Sequence, residues 1–325
     1  MPTFCRHNRF IQNCPICREA EPPASARRAP RRSSSSSSGT ASRSSRTGGA
    51  GVKVRRVARA GDDGYRNELV PGLRASQDAH RLADEIGFSA GRLAELAAAP
   101  PGLYAEAAAE PDREEGLWLA VLIALLGPLD GDDPFAAIRA ARVPWSSGEL
   151  PALDGVALGP RAGVRNAAEA QRALTAYRAW AARAGGQEVA LRGDAGWTPE
   201  RRFERAYERL GSVRGFARPA RYDLLVTLDR LGLAEVTATA LHADDSDDAS
   251  LSARRVFGIA DRFLLERRAG DLAEACDVPL EALDLALANF ERDGERVTQG
   301  ASAEAGDADA AERAAAALGV ERAEG

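Results

Sequence analysis

The sequence predicts an all-α protein with a helical bundle over residues 64–291, and three observations support this class. Apolar residues recur at three- and four-residue spacing through most of this range, as they do along one face of a helix. The alternating pattern of strands is scarce, and 189–191 is the one brief candidate. The chain has 325 residues, of which 45% are hydrophobic, so it is long and apolar enough to bury a sizeable core.

The predicted helices follow one another with short breaks. In chain order they cover residues 77–86, 90–99, 116–126, 134–141, 164–184, 199–210, 217–231, 251–257, 262–276 and 279–290. The segment 116–126 is apolar on every face, which indicates a helix buried on all sides. Pro199 follows Thr198 in a pattern typical of a helix start.

The segments outside the bundle differ from it in composition. Residues 1–20 hold three of the four cysteines, whereas residues 21–63 are rich in Arg, Ser, Gly and Pro and include consecutive serines at 33–38. A segment of that composition cannot bury apolar surface, so we expect a disordered linker. Residues 292–325 are rich in Ala, Gly, Asp and Glu, and we expect an acidic low-complexity tail that is frayed or disordered.

Charge is divided unequally along the chain. The first 60 residues carry 13 Lys and Arg against 2 Asp and Glu, which gives this segment a net charge of +11. The remaining 265 residues carry 30 against 46, a net charge of −16. A flexible arginine-rich arm is suited to binding phosphates by releasing counterions, which makes DNA an expected partner. A solubilising tether with no specific target is the alternative. The one lysine is Lys53, and this preference for arginine indicates a GC-rich bacterial genome.

No secretory or membrane segment is recognisable in the sequence. The N-terminus has no apolar core, and the longest apolar run, 117–126, is far shorter than the ~20 residues that cross a bilayer. We therefore expect a cytoplasmic protein with no membrane contact. In a reducing cytosol, clustered cysteines indicate metal ligands before disulfides.

Cysteines and a histidine cluster near the N-terminus with a spacing like that of a zinc knuckle. Cys14 and Cys17 are separated by two residues, and Cys5 and His7 are separated by one. Four nitrogen and sulfur ligands with no fifth candidate nearby predict a closed, structural Zn²⁺ site. Three unrelated thiols and a surface histidine are the alternative. Cys276 lies alone in a helical segment and is expected to be a buried core thiol.

The segment 201–226 predicts two helices joined by a tight turn. The first helix ends at Leu210, and Gly211 and Gly215 bracket the turn. In a helix-hairpin-helix element, such glycines let backbone amides approach a DNA phosphate beside the N-terminus of the next helix. Seven arginines within 201–221 favour this interpretation. The usual pattern is Leu-Pro-Gly-x-Gly, and here three residues separate the glycines, so an ordinary αα-corner is the alternative.

Four segments of this region are similar to a known family. They read WTPERRF at 197–203, GFARPARYDL at 215–224, ARRVFGI at 253–259 and LDLALANF at 283–290. Through them, the stretch from about 117 to 290 resembles the alpha-glutamyl/putrescinyl thymine pyrophosphorylase domain, most like its clade 3. That group is related to helix-hairpin-helix DNA glycosylases. The resemblance implies a glycosylase-like helical bundle that acts in DNA thymine hypermodification.

In the implied reaction, an amine such as glutamate or putrescine displaces pyrophosphate from 5-(pyrophosphoryloxymethyl)uracil in DNA. Two absences fit a relative of the glycosylases that is not a lyase. Bifunctional glycosylases use a lysine nucleophile, and the one lysine here is Lys53, in the arm. Many relatives carry a four-cysteine iron–sulfur loop after the hairpin, where this sequence has Cys276 alone.

The reaction needs a base outside the stack, cations for the leaving group and an acceptor for the amine proton. The aromatic candidates to hold the base are Trp197, Phe216 and Tyr222. The predicted catalytic residues are Asp223 as general base, Arg218 and Arg221 as pyrophosphate ligands, and Tyr222 beside Asp223. The predicted DNA-binding residues are Gly211, Arg214, Gly215, Arg254 and Arg255.

Each of these assignments has an alternative. The charges at 218, 221 and 223 could belong to a solvated amphipathic helix, where an ion pair contributes under ~1 kcal/mol. Arg254 and Arg255 are further candidates for binding the pyrophosphate, and contact with the DNA backbone or with solvent is the alternative. His242 beside the acids of 244–248 could hold a metal, although we expect those acids to form a solvated loop.

Three functions are consistent with the sequence. The first is a DNA-base-modifying transferase of the pyrophosphorylase type, with an amino acid or a polyamine as co-substrate. The second is a non-catalytic DNA-binding protein that uses the zinc motif, the arm and the hairpin. The third is a DNA glycosylase that removes an altered base. Released pyrophosphate with an amine retained in the DNA would indicate the first function, and a released free base the third.

Overall fold

Helices account for all the regular structure that the described residues form, which confirms the predicted all-α class. In the computed structural model these residues are 60–244, 247–292, 295–302 and 304–320. The predicted zinc ligands Cys5, His7, Cys14 and Cys17 and nearly all of the predicted linker lie outside them. No helix within these ranges is both long and apolar enough to span a membrane.

We number the helices of the described residues in chain order. The first six are α1 (Ser76–Ala98), α2 (Leu103–Ala109), α3 (Arg113–Leu126), α4 (Ala136–Ala141), α5 (Ala167–Ala184) and α6 (Gln187–Arg192). The last six are α7 (Pro199–Leu210), α8 (Arg218–Arg230), α9 (Asp248–Phe257), α10 (Arg262–Ala275), α11 (Leu280–Phe290) and α12 (Ala308–Leu318). Six of them begin where an Asp, Asn or Thr side chain accepts an N–H of the first turn.

Two hydrophobic clusters form the core, and α3 is the centre of the first. Every residue from Gly116 to Leu126 is buried, as the uniformly apolar sequence of this helix predicts. Helices α2, α6 and α8 pack around it. The indole N–H of Trp118 donates to the carbonyl oxygen of Val143 at 2.9 Å, so the polar atom of this buried side chain is satisfied.

The second cluster is formed by α1, α9, α10, α11 and α12. Helix α11 belongs to both clusters, because Ala282 packs in the first while Leu283 and Leu287 pack in the second. Every residue of α11 from Glu281 to Phe290 is buried. This helix therefore lies between the two clusters, and any charged side chain on it must be compensated inside the protein.

Two local predictions are wrong. The helices predicted at 77–86 and 90–99 are one continuous helix, α1, because the single glycine at the predicted break, Gly87, keeps the helical backbone. The strand candidate 189–191 lies within α6, where Ala190 and Leu191 are buried and Val189 is 59% exposed. Short apolar runs of this kind fit a helix as well as a strand.

The C-terminal segment is a third difference from the sequence-based expectation. A frayed or disordered tail is predicted from residue 292, but α12 packs along α1. The buried face of α12 consists of Ala310, Ala311, Ala314, Ala315 and Leu318. The N–H of Asp307 donates to the carbonyl oxygen of Gly87 at 3.0 Å, which a larger residue on α1 would obstruct. The alanines that made this segment look like a low-complexity tail form the surface of α12 that packs on α1.

Substituting Gly91 with alanine should destabilise the protein. A Cβ at this position would lie 1.7 Å from the carbonyl oxygen of Ala305, so α1 and the segment before α12 would have to separate. We expect the free energy of unfolding to fall by about 1–3 kcal/mol in urea denaturation, as at other overpacked sites.

The matched control is Gly270→Ala in α10. A Cβ there meets no atom within 4 Å, and alanine is favoured over glycine inside a helix by about 0.5–1 kcal/mol. This variant should therefore be as stable as the parent or more stable. Equal stability of the two variants would contradict the close packing of α12 on α1.

Candidate active site

A cleft of about 790 Å³ opens beside the predicted hairpin. Its walls are the loop 160–165, the turn residues 214–217, the first two turns of α5, the start of α9 and the C-terminal part of α11. Five arginines and three acids line it, namely Arg161, Arg165, Arg172, Arg214, Arg292, Glu169, Asp247 and Asp248. The excess of cations indicates an anionic ligand.

The turn between α7 and α8 forms one wall of this cleft. Helix α7 ends where the N–H of Gly211 donates to two carbonyl oxygens of the last turn, each at 3.1 Å. Gly215 has φ +91°, which L residues rarely adopt, and a Cβ there would lie 2.9 Å from that of Ala173. The N–H groups of Arg214 and Gly215 have no acceptor among the described residues. Assignment of this corner to the helix-hairpin-helix class stays a prediction.

The N-terminus of α8 lies at the same wall. Its N-cap is Ala217, whose side chain offers no acceptor to the first N–H groups of the helix. Ala217 and Pro219 both line the cleft. The partial positive charge of this helix end therefore adds to that of the arginines around it.

Three of the cleft arginines have no carboxylate of the described residues within ion-pair distance. Arg172 and Arg214 are exposed, and neither they nor Arg292 forms an ion pair within the part of the chain that the structure describes. Arg165, by contrast, pairs with Glu169 at 2.6 Å. Glu169 and Asp130 attract Arg172 and Arg292 without pairing with them, so these guanidinium groups keep donors for phosphate oxygens, for which their planar fork is suited.

Behind the cleft, five charged side chains form a buried network. Nε of Arg161 donates to Oδ2 of Asp223 at 2.9 Å, and Nη2 of Arg161 donates to Asp284. Nη1 of Arg218 lies 2.6 Å from Oδ1 of Asp284 and 3.4 Å from Oδ1 of Asp247. None of these five side chains is more than 11% exposed. Each charge is therefore compensated by a neighbour and not by water.

Burial and charge act in opposite directions on two carboxyl groups of this network. Burial raises the pKa of Asp247, and the nearby guanidinium of Arg218 opposes this only in part. Burial also favours the neutral form of Asp284, but Arg161 and Arg218 together outweigh it and lower the pKa of this group. The pKa of Asp284 is thus lowered, whereas the pKa of Asp247 is raised above that of an exposed aspartate.

The predicted catalytic residues of α8 lie behind the cleft wall. Arg218 is 1% exposed, and its Nε also donates to a backbone carbonyl oxygen, that of Leu241, at 3.0 Å. Tyr222 is buried, its hydroxyl has no partner among the described residues, and burial raises its pKa well above the usual value. Asp223 is 8% exposed, and its Oδ2 accepts from Nε2 of Gln299 at 2.9 Å. Their roles in a reaction stay predictions.

The other predicted arginines contact groups within the protein. The guanidinium of Arg221 lies 4.3 Å from the ring centroid of Tyr207. Arg255 pairs with one acid of α1 at 2.6 Å and one acid after α11 at 2.8 Å. Nη2 of Arg254 donates to the carbonyl oxygen of Asp244 at 3.3 Å. Gly211 is exposed on the turn, outside the cleft lining, and DNA contact by all of these residues stays a prediction.

Of the aromatic candidates, Phe216 is the one that lines the cleft. Its ring stacks on Tyr177 with the centroids 5.3 Å apart, which holds it in place. Trp197 lies before α7, and the guanidinium of Arg201 is 4.7 Å from its ring centroid. Phe216 is 5% exposed, so only an edge of its side chain reaches the wall that carries the unpaired amides.

His242 belongs to a different cluster. Its Nε2 lies 3.2 Å from Oε1 of Glu204, and its ring stacks on Tyr207 with the centroids 3.9 Å apart. The hydrogen bond from His242 lowers the pKa of Glu204. Within the described ranges, no group of three or more His, Cys, Asp or Glu side chains is arranged to hold a metal ion.

Sequence reasoning missed Arg161, Asp247, Asp284 and Gln299. The expectation of a solvated loop is wrong for Asp247, whose side chain is 9% exposed because it caps α9 against the network. The sequence did contain a signal for Asp284. An acid among the leucines and alanines of α11 is expected to be buried, and a buried acid requires a partner. Arg161 and Gln299 lie in irregular segments where no periodic pattern marks them.

A family model matches the segment that contains most of these site residues. Residues 162–299 match the family model of alpha-glutamyl/putrescinyl thymine pyrophosphorylase clade 3. The predicted resemblance to clade 3 is thus confirmed over this segment. The clade 3 match contains the turn, the network residues on α8 and α11, Asp247 and Gln299, and it begins one residue after Arg161. It implies a pyrophosphorylase-type function in thymine modification. No curated protein and no solved structure matches the chain.

Removing the central acid of the network should destabilise the protein. In Asp284→Asn the guanidinium groups of Arg161 and Arg218 lose the anion that both contact. We expect the free energy of unfolding to fall by about 3 kcal/mol at pH 7 in urea denaturation, because buried charges are left without compensation. The control is Glu208→Gln, which breaks an exposed pair with Arg205 and should change stability by less than about 1 kcal/mol.

The same variant makes a prediction about pH. The pKa of Asp284 is lower in the folded protein than in the unfolded chain, so the unfolded state binds more protons between the two values. The stability that Asp284 contributes is present above about pH 4 and is lost as the pH falls through the folded pKa. The parent should therefore lose more stability on acidification below about pH 4 than Asp284→Asn does. If the stabilities of the parent and of Asp284→Asn fell equally with pH, the pairing of Asp284 with the two arginines would be contradicted.

Proposed function

We propose that the protein is a DNA-base-modifying transferase of the pyrophosphorylase type that acts in the cytoplasm. In the proposed reaction an amine nitrogen bonds to the methylene carbon on C5 of a modified uracil in DNA. The bond from that carbon to a pyrophosphate oxygen breaks, and its electron pair leaves with the pyrophosphate. The observation that carries the proposal is the cationic cleft beside the turn of residues 211–217, inside a segment similar to a family of this chemistry.

A leaving pyrophosphate needs donors and cations that are already in place. Arg172 and Arg214 bring guanidinium groups without an ion pair to the cleft, and the N–H groups of Arg214 and Gly215 lack acceptors among the described residues. The uncapped start of α8 adds its partial charge. Together these groups would stabilise the negative charge that grows on the departing oxygen, so we place the pyrophosphate at this wall.

The target base has to leave the DNA stack to reach the cleft. A volume of about 790 Å³ is within the ~300–1,000 Å³ of pockets that enclose small ligands. The exposed arginines of the cleft attract the phosphates on either side of the base. DNA is therefore the macromolecular partner in this proposal, and an amino acid or a polyamine is the co-substrate.

The predicted catalytic residues of α8 support this cleft from behind. Arg218 and Asp223 contribute to the network that holds Arg161, Asp247 and Asp284, and Tyr222 lies buried beneath the guanidinium of Arg218 at 4.9 Å. We propose that these residues keep the cleft wall in one geometry. Rigid support of this kind is what a site needs to align two reactants.

The proposal is tested by nucleoside mass spectrometry. DNA that contains 5-(pyrophosphoryloxymethyl)uracil is incubated with the full chain and with glutamate or putrescine. The expected result is an amine adduct retained in the DNA, together with released pyrophosphate. A released free base would instead indicate a glycosylase, and DNA binding without any product would indicate a binding protein. Either of these outcomes would overturn the proposal.

Substituting Arg172 or Arg214 with alanine should weaken pyrophosphate binding about 10- to 150-fold, since a hydrogen bond to a charged group contributes about 1.5–3 kcal/mol. Titration calorimetry with pyrophosphate measures this. If the guanidinium also neutralises a DNA phosphate, the slope of log affinity against log salt should fall by about 0.9 for each phosphate left without its arginine. The control is Arg183→Ala, an exposed arginine in the last turn of α5 and outside the cleft lining. Equal effects of Arg172→Ala and Arg183→Ala would place the anion elsewhere.

We also propose a structural Zn²⁺ held by Cys5, His7, Cys14 and Cys17, on the strength of their spacing. Elemental analysis should find about one zinc ion per chain. Cys14→Ser should lose that zinc, because the site needs all four ligands, whereas Cys276→Ser should retain it. Zinc-free parent protein would exclude the site.

A further inference from the structure

Among the acids that line the cleft, Asp247 is the one held in a defined position inside it. Its Oδ1 accepts from the N–H of Ser250 at 3.1 Å, and its Oδ2 accepts from the hydroxyl of Ser250 at 2.8 Å. Glu169 is occupied by Arg165, which also lowers the pKa of Glu169. Asp248 has no side-chain hydrogen bond to a described residue. Asp247 thus combines access to the ligand space with a fixed orientation.

The charges around Asp247 come from three neighbouring elements. Arg218 on α8 approaches it at 3.4 Å, Arg161 from the loop before α5 attracts it, and Asp284 on α11 repels its negative charge. Burial and the repulsion by Asp284 favour the protonated form, and Arg218 favours the anion. The balance leaves a carboxylate that can take up a proton more readily than an exposed aspartate does.

Asp223, the base predicted from the sequence, has a different environment. It is absent from the cleft lining, and both of its oxygens are engaged by Arg161, at 2.9 and 3.4 Å. Gln299 donates to one of the same oxygens. Asp247 receives as many donors, from Ser250 and Arg218, so the difference between the two acids is that Asp247 lines the cleft and Asp223 does not.

From these observations we infer that Asp247 is a catalytic residue that accepts the proton of the attacking amine, and that Arg218 is the residue that positions it. The inference rests on the proposed function and adds the identity of the base. As the nitrogen–carbon bond forms, the nitrogen becomes a cationic secondary amine. One of its protons passes to a carboxylate oxygen of Asp247, while the electron pair of the broken carbon–oxygen bond leaves with the pyrophosphate. Asp247 then releases the proton to water through the open cleft.

Arg218 is suited to the positioning role because its own orientation is fixed on three sides. Nε donates to the carbonyl oxygens of Leu241 and His242 at 3.0 and 3.3 Å, and Nη1 pairs with Asp284 at 2.6 Å. The remaining contact of Nη1 is with Asp247. Arg218 therefore holds the base without touching the reactants, which is consistent with its 1% exposure.

The decisive variant is Asp247→Asn, measured in single turnover with the modified DNA and the amine. Asparagine caps a helix about as well as aspartate, so α9 should begin at the same place. We expect the rate to fall by about 10²–10⁴-fold, as for loss of a general base, with DNA and pyrophosphate affinity changed less than about threefold. The acidic limb of the parent's pH–rate profile should also disappear. A rate within about threefold of the parent, or an unchanged limb, would overturn the inference.

The matched control is Asp261→Asn, the same exchange at the N-cap of α10, away from the cleft lining. It should keep the parent's rate and pH profile. If Asp247→Asn fails to fold, Asp247→Ser replaces it, because serine is also a good N-cap and cannot accept the proton. A folded serine variant with the parent's rate would refute the inference equally.

Arg218→Lys tests the positioning role through the pH profile. Lysine keeps the charge but not the fork that reaches Asp247, so the acidic limb should move to higher pH as the anion loses its partner. If the acidic limb of the pH–rate profile stays at the parent's pH, Arg218 does not position the base. If the parent protein transfers no amine to DNA, the proposed function itself fails. If it does and Asp247→Asn does too, the assignment of the base alone fails.

Discussion

The buried network of Arg161, Arg218, Asp223, Asp247 and Asp284 is the interaction on which the rest of the structure depends. It connects α8, which packs in the first hydrophobic cluster, to α9 and α11, which pack in the second. Charges removed from water are stable only while their partners stay in place. The loop before α5 and three helices are therefore coupled, since none of them can shift without separating a charged pair.

This coupling gives the cleft two kinds of arginine. Arg161 is a lining residue whose guanidinium pairs with buried acids, whereas Arg172 and Arg214 are exposed and form no ion pair with a described acid. The floor of the cleft is consequently rigid, and its rim can adapt. An adaptable cationic rim suits the capture of a flexible polyanion, and a rigid floor suits the alignment of reacting atoms.

Local pattern predicted most of the helices, because apolar periodicity is a property of short segments. It also predicted the turn with Arg214, Gly215 and Phe216, since a turn is determined by neighbouring residues. Local sequence pattern could not predict the buried network. Arg161 and Asp284 are 123 positions apart in the chain, and their pairing depends on how α5, α8 and α11 pack. Likewise, the composition of α12 concealed that its Ala311 packs against Gly87 of α1.

The segment shared with the family and the folded unit have different limits. Residues 162–299 match the family, yet α1 and α12 precede and follow them, and α3, which packs against α8, also lies outside. A polypeptide trimmed to those limits would leave α11 without the α1 side of its surroundings and would lack Arg161. The family match thus covers most residues that line the cleft. The helices that hold those residues in place include α1, α3 and α12, which lie outside the match.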